Sequence, residues 1–96
     1  MTSLKNGPPR AAVLRDLQRI PGVGPKIAHD LWRLGVGSIE DLKGADPEKL
    51  YDRLCDLQRA KVDRCALYVF RSAVYFASRK NPKPDLLKWW NWKDKY

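Results

Sequence analysis

The stretch LQRIPGVGPKIAHDL, Leu17 to Leu31, decides the fold of this 96-residue chain. Gly22 and Gly24 are separated by one residue, which favours a tight bend where the backbone can adopt positive φ and no side chain blocks a ligand. A helix is expected to follow directly, because Pro25 is well tolerated at a first helical position. The backbone N–H groups of the bend and of that first turn can therefore converge on one point.

That point suits an anion, since the positive end of the helix dipole adds to the attraction of the N–H groups. Lys26 lies in the first turn and can supply a full charge to a neighbouring phosphate, and Arg19 stands just before the bend. We therefore predict a phosphate-binding site made by Arg19, Gly22, Val23, Gly24 and Lys26.

From Ile20 to Ala28, the sequence IPGVGPKIA resembles a helix-hairpin-helix motif at each defining position. That motif has an apolar residue, often proline, then Gly, an apolar residue, Gly, three variable residues and Ala. The resemblance implies an all-α, SAM-like domain whose hairpin amides bind DNA phosphates beside the minor groove and read no bases. It also implies, in some members, a monovalent cation between hairpin carbonyls and phosphate. The alternative is a hairpin that is only structural in a protein-interaction module.

A second GxG follows at Gly35 to Gly37, in a stretch that resembles the second half of tandem helix-hairpin-helix units. Asp41 stands where that motif has Ala, and Glu40 adds another negative charge. Because these carboxylates would repel a phosphate, we predict that the second unit is structural.

Apolar residues recur three and four apart through most of the chain, and no run alternates as a strand does. We predict an all-α, five-helix domain over residues 9–79, with helices at about 9–18, 25–34, 38–43, 46–58 and 62–79. Ser38 and Asp46 are expected to cap the third and fourth helices. The fourth helix has an apolar stripe of Leu50, Leu54 and Leu57.

The two ends of the chain are expected to lie outside this domain. Residues 1–8 are predicted to be a flexible N-terminus. Residues 80–96 form a Pro/Trp-rich tail that is predicted to dock on the domain, because Trp89, Trp90 and Trp92 would be costly to leave in water.

The chain is strongly basic, with a net charge of +8 and a pI near 9.8. Residues 1–30, 31–60 and 61–96 carry +3, −1 and +6. A small basic protein attracts polyanions, so the charge alone allows nucleic acid or an anionic membrane surface as the partner, and we expect nucleic acid. The apolar runs are too short to span a bilayer, and no apolar stretch of signal-peptide length follows the first residues. We expect a cytoplasmic protein with no membrane partner.

A basic and aromatic stripe runs along the fifth predicted helix at intervals of three and four residues, through Arg64, Tyr68, Arg71, Tyr75 and Arg79. In one interpretation Arg71 and Arg79 extend the nucleic-acid surface. In the other, which we favour, the tryptophan tail packs on the stripe and its rings contact the arginines.

Catalysis and redox chemistry find little support in the residue pattern. Cys55 and Cys65 are expected to be core thiols, with a disulfide, or a metal shared with His29, as the alternative. No nucleophile and base suggest a triad, and the carboxylates fit caps or solvated faces. We predict a protein that is not an enzyme and holds no cofactor or metal, apart from the cation that the resemblance implies.

From about residue 10 to residue 94, the chain resembles small bacterial pathogenicity-locus proteins, some of them described as related to mitomycin resistance. The resemblance rests on the hairpin and on DPEKLYDRLC (46–55), VDRCALYVFRSAVYFAS (62–78) and NPKPDLLKWWNWKD (81–94). A similar hairpin arrangement occurs in the C-terminal domain of bacterial competence regulators. The expected function is sequence-independent DNA binding in DNA repair or stress resistance. The sequence leaves open whether the target is DNA or RNA, whether it is duplex or branched, and whether the protein is a monomer or a dimer.

Overall fold

A computed structural model describes residues 9–94, within which the chain forms four α-helices and no strand. The helices are α1 (Arg10–Leu17), α2 (Pro25–Arg33), α3 (Pro47–Gln58) and α4 (Cys65–Ser78). Three short 3₁₀ helices lie at Ile39–Leu42, Pro84–Leu87 and Trp89–Trp92. The all-α prediction is confirmed, and the predicted N-terminal segment 1–8 lies outside the described residues. No helix in the described part is long and apolar enough to cross a bilayer.

Proline and aspartate set the helix starts much as the sequence predicts. Pro25 and Pro47 occupy the first turns of α2 and α3. Asp46 caps α3 by accepting hydrogen bonds from the amides of Glu48 and Lys49, at 3.0 and 3.3 Å. This cap satisfies donors that the helix itself cannot pair.

The third predicted helix is a 3₁₀ helix of four residues, and Ser38 makes no capping hydrogen bond. Asp41 instead reaches back, where its Oδ2 accepts from the amide of Gly37 at 2.8 Å. Asp16 accepts from the amide of Ile39 at 3.3 Å and ties this 3₁₀ helix to α1. The prediction of a helical turn here is right, but its cap is wrong.

The start of α4 lies three residues later than predicted, because Val62 is held in the preceding loop. Its amide donates to Sγ of Cys55 at 3.5 Å, and its carbonyl accepts from the buried hydroxyl of Tyr51. Asp63 then accepts from the amide of Cys65 at 2.9 Å and begins the helix there. Burial of the Tyr51 ring raises the pKa of its hydroxyl.

The core lies between the four helices and the first 3₁₀ helix. Its fully buried large side chains are Leu17, Ile20, Leu31, Leu42, Leu54, Leu67 and Phe70. Two apolar predictions are wrong. Leu57 is 46% exposed at the end of α3, whose buried residues are Leu50, Tyr51 and Leu54. Cys65 is exposed, because α4 begins at this residue and turns its apolar face inward only from Ala66.

The tryptophan tail lies along α4 and is fixed there by polar contacts. Nε1 of Trp92 donates to the carbonyl of Leu86 at 2.7 Å, and the buried Ser72 hydroxyl donates to the same oxygen at 3.4 Å. One guanidinium nitrogen of Arg71 donates to the carbonyl of Trp92 at 2.7 Å. Together these bonds fold the tail back over the helix and set the position of the tryptophans.

Candidate nucleic-acid interface

The bend between α1 and α2 is a β-turn with Pro21 and Gly22 at its centre. The amide of Val23 donates to the carbonyl of Ile20 at 3.0 Å, and Gly22 has a φ of +86°. Proline followed by a residue of positive φ is the arrangement that a type II turn requires. Only Gly22 uses the left-handed freedom expected of both glycines, since Gly24 is extended with a φ of −92° and is the N-cap of α2.

Four backbone N–H groups at this bend find no hydrogen-bond acceptor within residues 9–94, namely those of Gly22, Gly24, Lys26 and Ile27. The bonded ladder of α2 begins only where the amide of Ala28 donates to the carbonyl of Gly24 at 2.9 Å. Gly22 and Lys26 are exposed and Gly24 is half-buried. Unpaired donors at a helix N-terminus beside solvent are available to an anion.

Each of the two cations beside the bend, Arg19 and Lys26, forms an ion pair with a carboxylate three or four residues away in the sequence. Lys26 lies 3.4 Å from Oδ2 of the buried Asp30, and Arg19 lies 2.8 Å from Oδ1 of Asp16. Both cations still point into water, with 78% of the Lys26 side chain and 72% of the Arg19 side chain exposed. The largely exposed pair of Arg19 and Asp16 contributes little to stability, so Arg19 can turn to another anion at small cost. Val23 is buried and anchors the bend in the core.

The second GxG, Gly35 to Gly37, ends α2 and offers no free amide at Gly37. Gly35, at a φ of +95°, ends α2 in a Schellman motif, since the amides of Gly35 and Val36 donate to the carbonyls of Trp32 and Leu31. The next amide, of Gly37, already has the Asp41 carboxylate as its acceptor. A carboxylate of the chain therefore occupies the place that a phosphate would take.

The tail reaches the first bend through Trp89, a contact that the sequence analysis did not identify. A β-carbon placed on Gly22 would lie 3.2 Å from Cδ1 of Trp89. The half-buried indole thus packs against the turn, yet Gly22 stays exposed. The local sequence carries no signal for this contact, because it joins segments more than sixty residues apart.

Arg71 lies with the tail and not at the bend. Its guanidinium donates to Glu48 at 2.6 and 3.0 Å and to Asp94 at 3.0 Å, in addition to the carbonyl of Trp92. With only 20% of the side chain exposed, these acceptors take up its donors. Within residues 9–94 no arginine of the stripe makes a cation–π contact with a tryptophan of the tail. Arg71 and Arg79 lie over the rings of Tyr68 and Tyr75 instead.

Asp94 completes the tail anchor. Its carboxylate accepts from Nε of Arg64 at 2.8 Å and from Arg71, and the Arg64 hydrogen bond is the main reason that the pKa of Asp94 lies below its usual value. A carboxylate with a lowered pKa stabilises the folded state above its ordinary pKa, and that stability is lost as the pH falls through the lowered value. The tail is therefore firmly held at neutral pH.

Comparison with known proteins gives the chain a family. The sequence pattern of the family described as pathogenicity locus (Cdd1) matches residues 10–96, which is most of the chain. The chain belongs to this family. It is also 31% identical over 77 residues to the mitomycin resistance protein McrB of Streptomyces lavendulae, covering 80% of this chain and 70% of that protein. No solved structure matches the sequence.

Cys55 and Cys65 lie on α3 and α4, and His29 lies on α2. Cys65 is exposed, and its hydrogen bond with Asp63 raises the pKa of the thiol, which lowers its reactive thiolate fraction. Cys55 is half-buried and accepts from Val62, while His29 packs on Trp32 with ring centroids 5.7 Å apart. Among residues 9–94 no three His, Cys, Asp or Glu side chains are grouped to hold a metal.

Proposed function

We propose that this protein binds the DNA backbone, without sequence preference, through a helix-hairpin-helix formed by α1, the bend and α2. The cluster of unpaired amides at Gly22, Gly24, Lys26 and Ile27 carries the proposal. Lys26 and Arg19 add charge on either side of the bend, and Val23 holds it in place from the core.

A phosphate can approach these amides from the side of Gly24, where the space is open. A β-carbon placed on Gly24 would meet no atom within 4 Å, so a ligand oxygen has room at the N-terminus of α2. Phosphate oxygens match several converging N–H donors, and the helix dipole adds to the attraction. In this proposal the amides hold one phosphate and Lys26 the next along the same strand.

Two other turns in the same chain support the proposed phosphate site. At the N-terminus of α3 the Asp46 carboxylate accepts from two amides, and at the second GxG the Asp41 carboxylate accepts from Gly37. Both sites use an internal anion for donors that the backbone cannot pair. The first bend has equivalent donors, and within residues 9–94 no carboxylate accepts from them, so its anion is expected to come from outside the molecule.

The architecture fits a five-helix, SAM-like domain in which the 3₁₀ helix at Ile39–Leu42 stands for the third helix. The proposed phosphate contacts are made by backbone N–H groups and by Lys26, and none of them passes through the monovalent cation that the resemblance implies. The proposed role is non-enzymatic, in the cytoplasm, and in DNA repair or stress resistance. The similarity to a protein named for mitomycin resistance agrees with a role in stress resistance.

Titration of a labelled blunt duplex at several salt concentrations tests the proposal. Contacts with roughly three to five phosphates predict micromolar binding and a slope of log K against log salt of about −3 to −4. Duplexes of different sequence should give the same affinity within error. A flat salt dependence, or capture of a protein partner that persists at high salt, would instead favour an interaction module in which the hairpin is structural.

A further inference from the structure

Trp90 is an aromatic residue in the last 3₁₀ helix, and 50% of its surface is exposed to solvent. Its neighbours Trp89 and Trp92 are half-buried and serve to pack the tail on the domain. Trp90 makes no comparable contribution to the core. Its exposed indole face is available for a stacking contact with a ligand ring.

The ring is presented by a rigid support. On one side of it, Nδ2 of Asn91 donates to the carbonyl of Asp85 at 2.6 Å. Trp92 is bonded through its ring nitrogen to Leu86 and through its carbonyl to Arg71. Because this segment is already ordered, a ligand that stacks on Trp90 does not have to fix a mobile chain first.

Trp90 also lies next to the proposed phosphate site. Trp89 packs against Gly22 at the centre of the bend, and the rings of Trp89 and Trp90 meet edge to face with centroids 5.7 Å apart. Trp89 therefore contacts both the bend and the Trp90 ring. Lys88 and Lys93, both exposed, flank this pair of rings in sequence and add positive charge.

We propose that Trp90 stacks on an unpaired base while the bend holds the neighbouring backbone, so that the protein prefers DNA at a junction between duplex and single strand. This inference rests on the proposed function and names the substrate of the same site. An aromatic face beside a basic surface is the usual platform for unpaired bases. Inside a duplex the base faces are covered by their neighbours, and exposing one costs unstacking energy.

The test compares a blunt duplex with the same duplex bearing a short single-stranded overhang, using fluorescence anisotropy at fixed salt. Stacking of one base predicts about 5- to 100-fold tighter binding of the overhang DNA. Trp90→Ala should abolish that preference and leave blunt-duplex affinity unchanged. Trp32→Ala is the matched control, since Trp32 is 37% exposed but lies at the far end of α2 from the bend.

A fluorescent base analogue at the first unpaired position provides a direct readout of stacking. Its emission should change on binding of the wild type and of Trp32→Ala, and not with Trp90→Ala. Equal affinity of the wild type for both DNAs, or a preference that survives in Trp90→Ala, would overturn this inference while leaving backbone binding in place. Failure to bind either DNA would overturn the proposed function itself.

Discussion

Replacing Gly24 by Asp and Lys26 by Gln in one variant is expected to weaken binding to duplex DNA about a hundredfold, since charge-assisted contacts contribute about 1.5–3 kcal/mol each. Gly24 is the N-cap of α2, so an Asp side chain there can accept from the free amides as Asp46 does at α3. The variant then supplies its own anion where the phosphate would bind. Lys26→Gln removes the adjacent charge and keeps a donor for the buried Asp30.

Gly24→Asp is expected to change stability little, because an Asp N-cap differs from Gly by only a few tenths of a kcal/mol. Lys26→Gln is expected to destabilise the fold somewhat, since the buried Asp30 loses its charged partner. Lys61→Glu is the matched control. It makes the same change of two charge units at an exposed position in the loop between α3 and α4. A comparable loss of affinity in Lys61→Glu would mean that overall charge, and not the bend, determines binding. Anisotropy titrations and thermal unfolding measure the two quantities.

Gly22→Ala is expected to destabilise the fold by about 2 kcal/mol, which lowers the melting temperature of a domain of this size by about 10 °C. The backbone φ of +86° is unfavourable for any side chain, and the new methyl group would lie 3.2 Å from Cδ1 of Trp89. Either the turn or the tail must shift to relieve that contact. Thermal unfolding followed by circular dichroism measures the loss.

Gly24→Ala is the matched control for this substitution, two residues along the same bend. Its φ of −92° is ordinary for alanine, and the added methyl group meets nothing within 4 Å. Its melting temperature is expected to stay within a few degrees of the wild type, because the small changes in capping and chain entropy nearly cancel. Equal melting temperatures for the two alanine variants would contradict the assigned roles of the two glycines.

The helices follow from signals that are local in the sequence. Proline at the first turns, the Asp46 cap and apolar spacing locate α2 and α3 to within a residue. The start of α4 could not be predicted in this way, because Val62 is held by Tyr51 and Cys55 from another helix. Leu57 and Cys65 are exposed for a related reason. Both lie at helix ends, and tertiary packing determines which residues at a helix end still reach the core.

The candidate site also combines features that the local sequence predicts with features that only long-range contacts determine. Free amides at the bend follow from Gly24 and Pro25, which offer no capping side chain, and the carboxylate at the second GxG is visible in the sequence as Asp41. The contact between Trp89 and Gly22 is long-range, and no local pattern predicts it. Arg71 shows the limit of spacing arguments. Its place on a stripe was predictable, but its partners Glu48 and Asp94 lie on other segments.

The most direct test of the central claim is an NMR titration of the isotope-labelled protein with a short blunt duplex, following each backbone amide. We predict that the amide signals of Gly22, Gly24, Lys26 and Ile27 move most and return to their free positions when salt is added. If these four signals stay fixed while amides elsewhere on the surface move, the bend between α1 and α2 is not the site at which DNA binds.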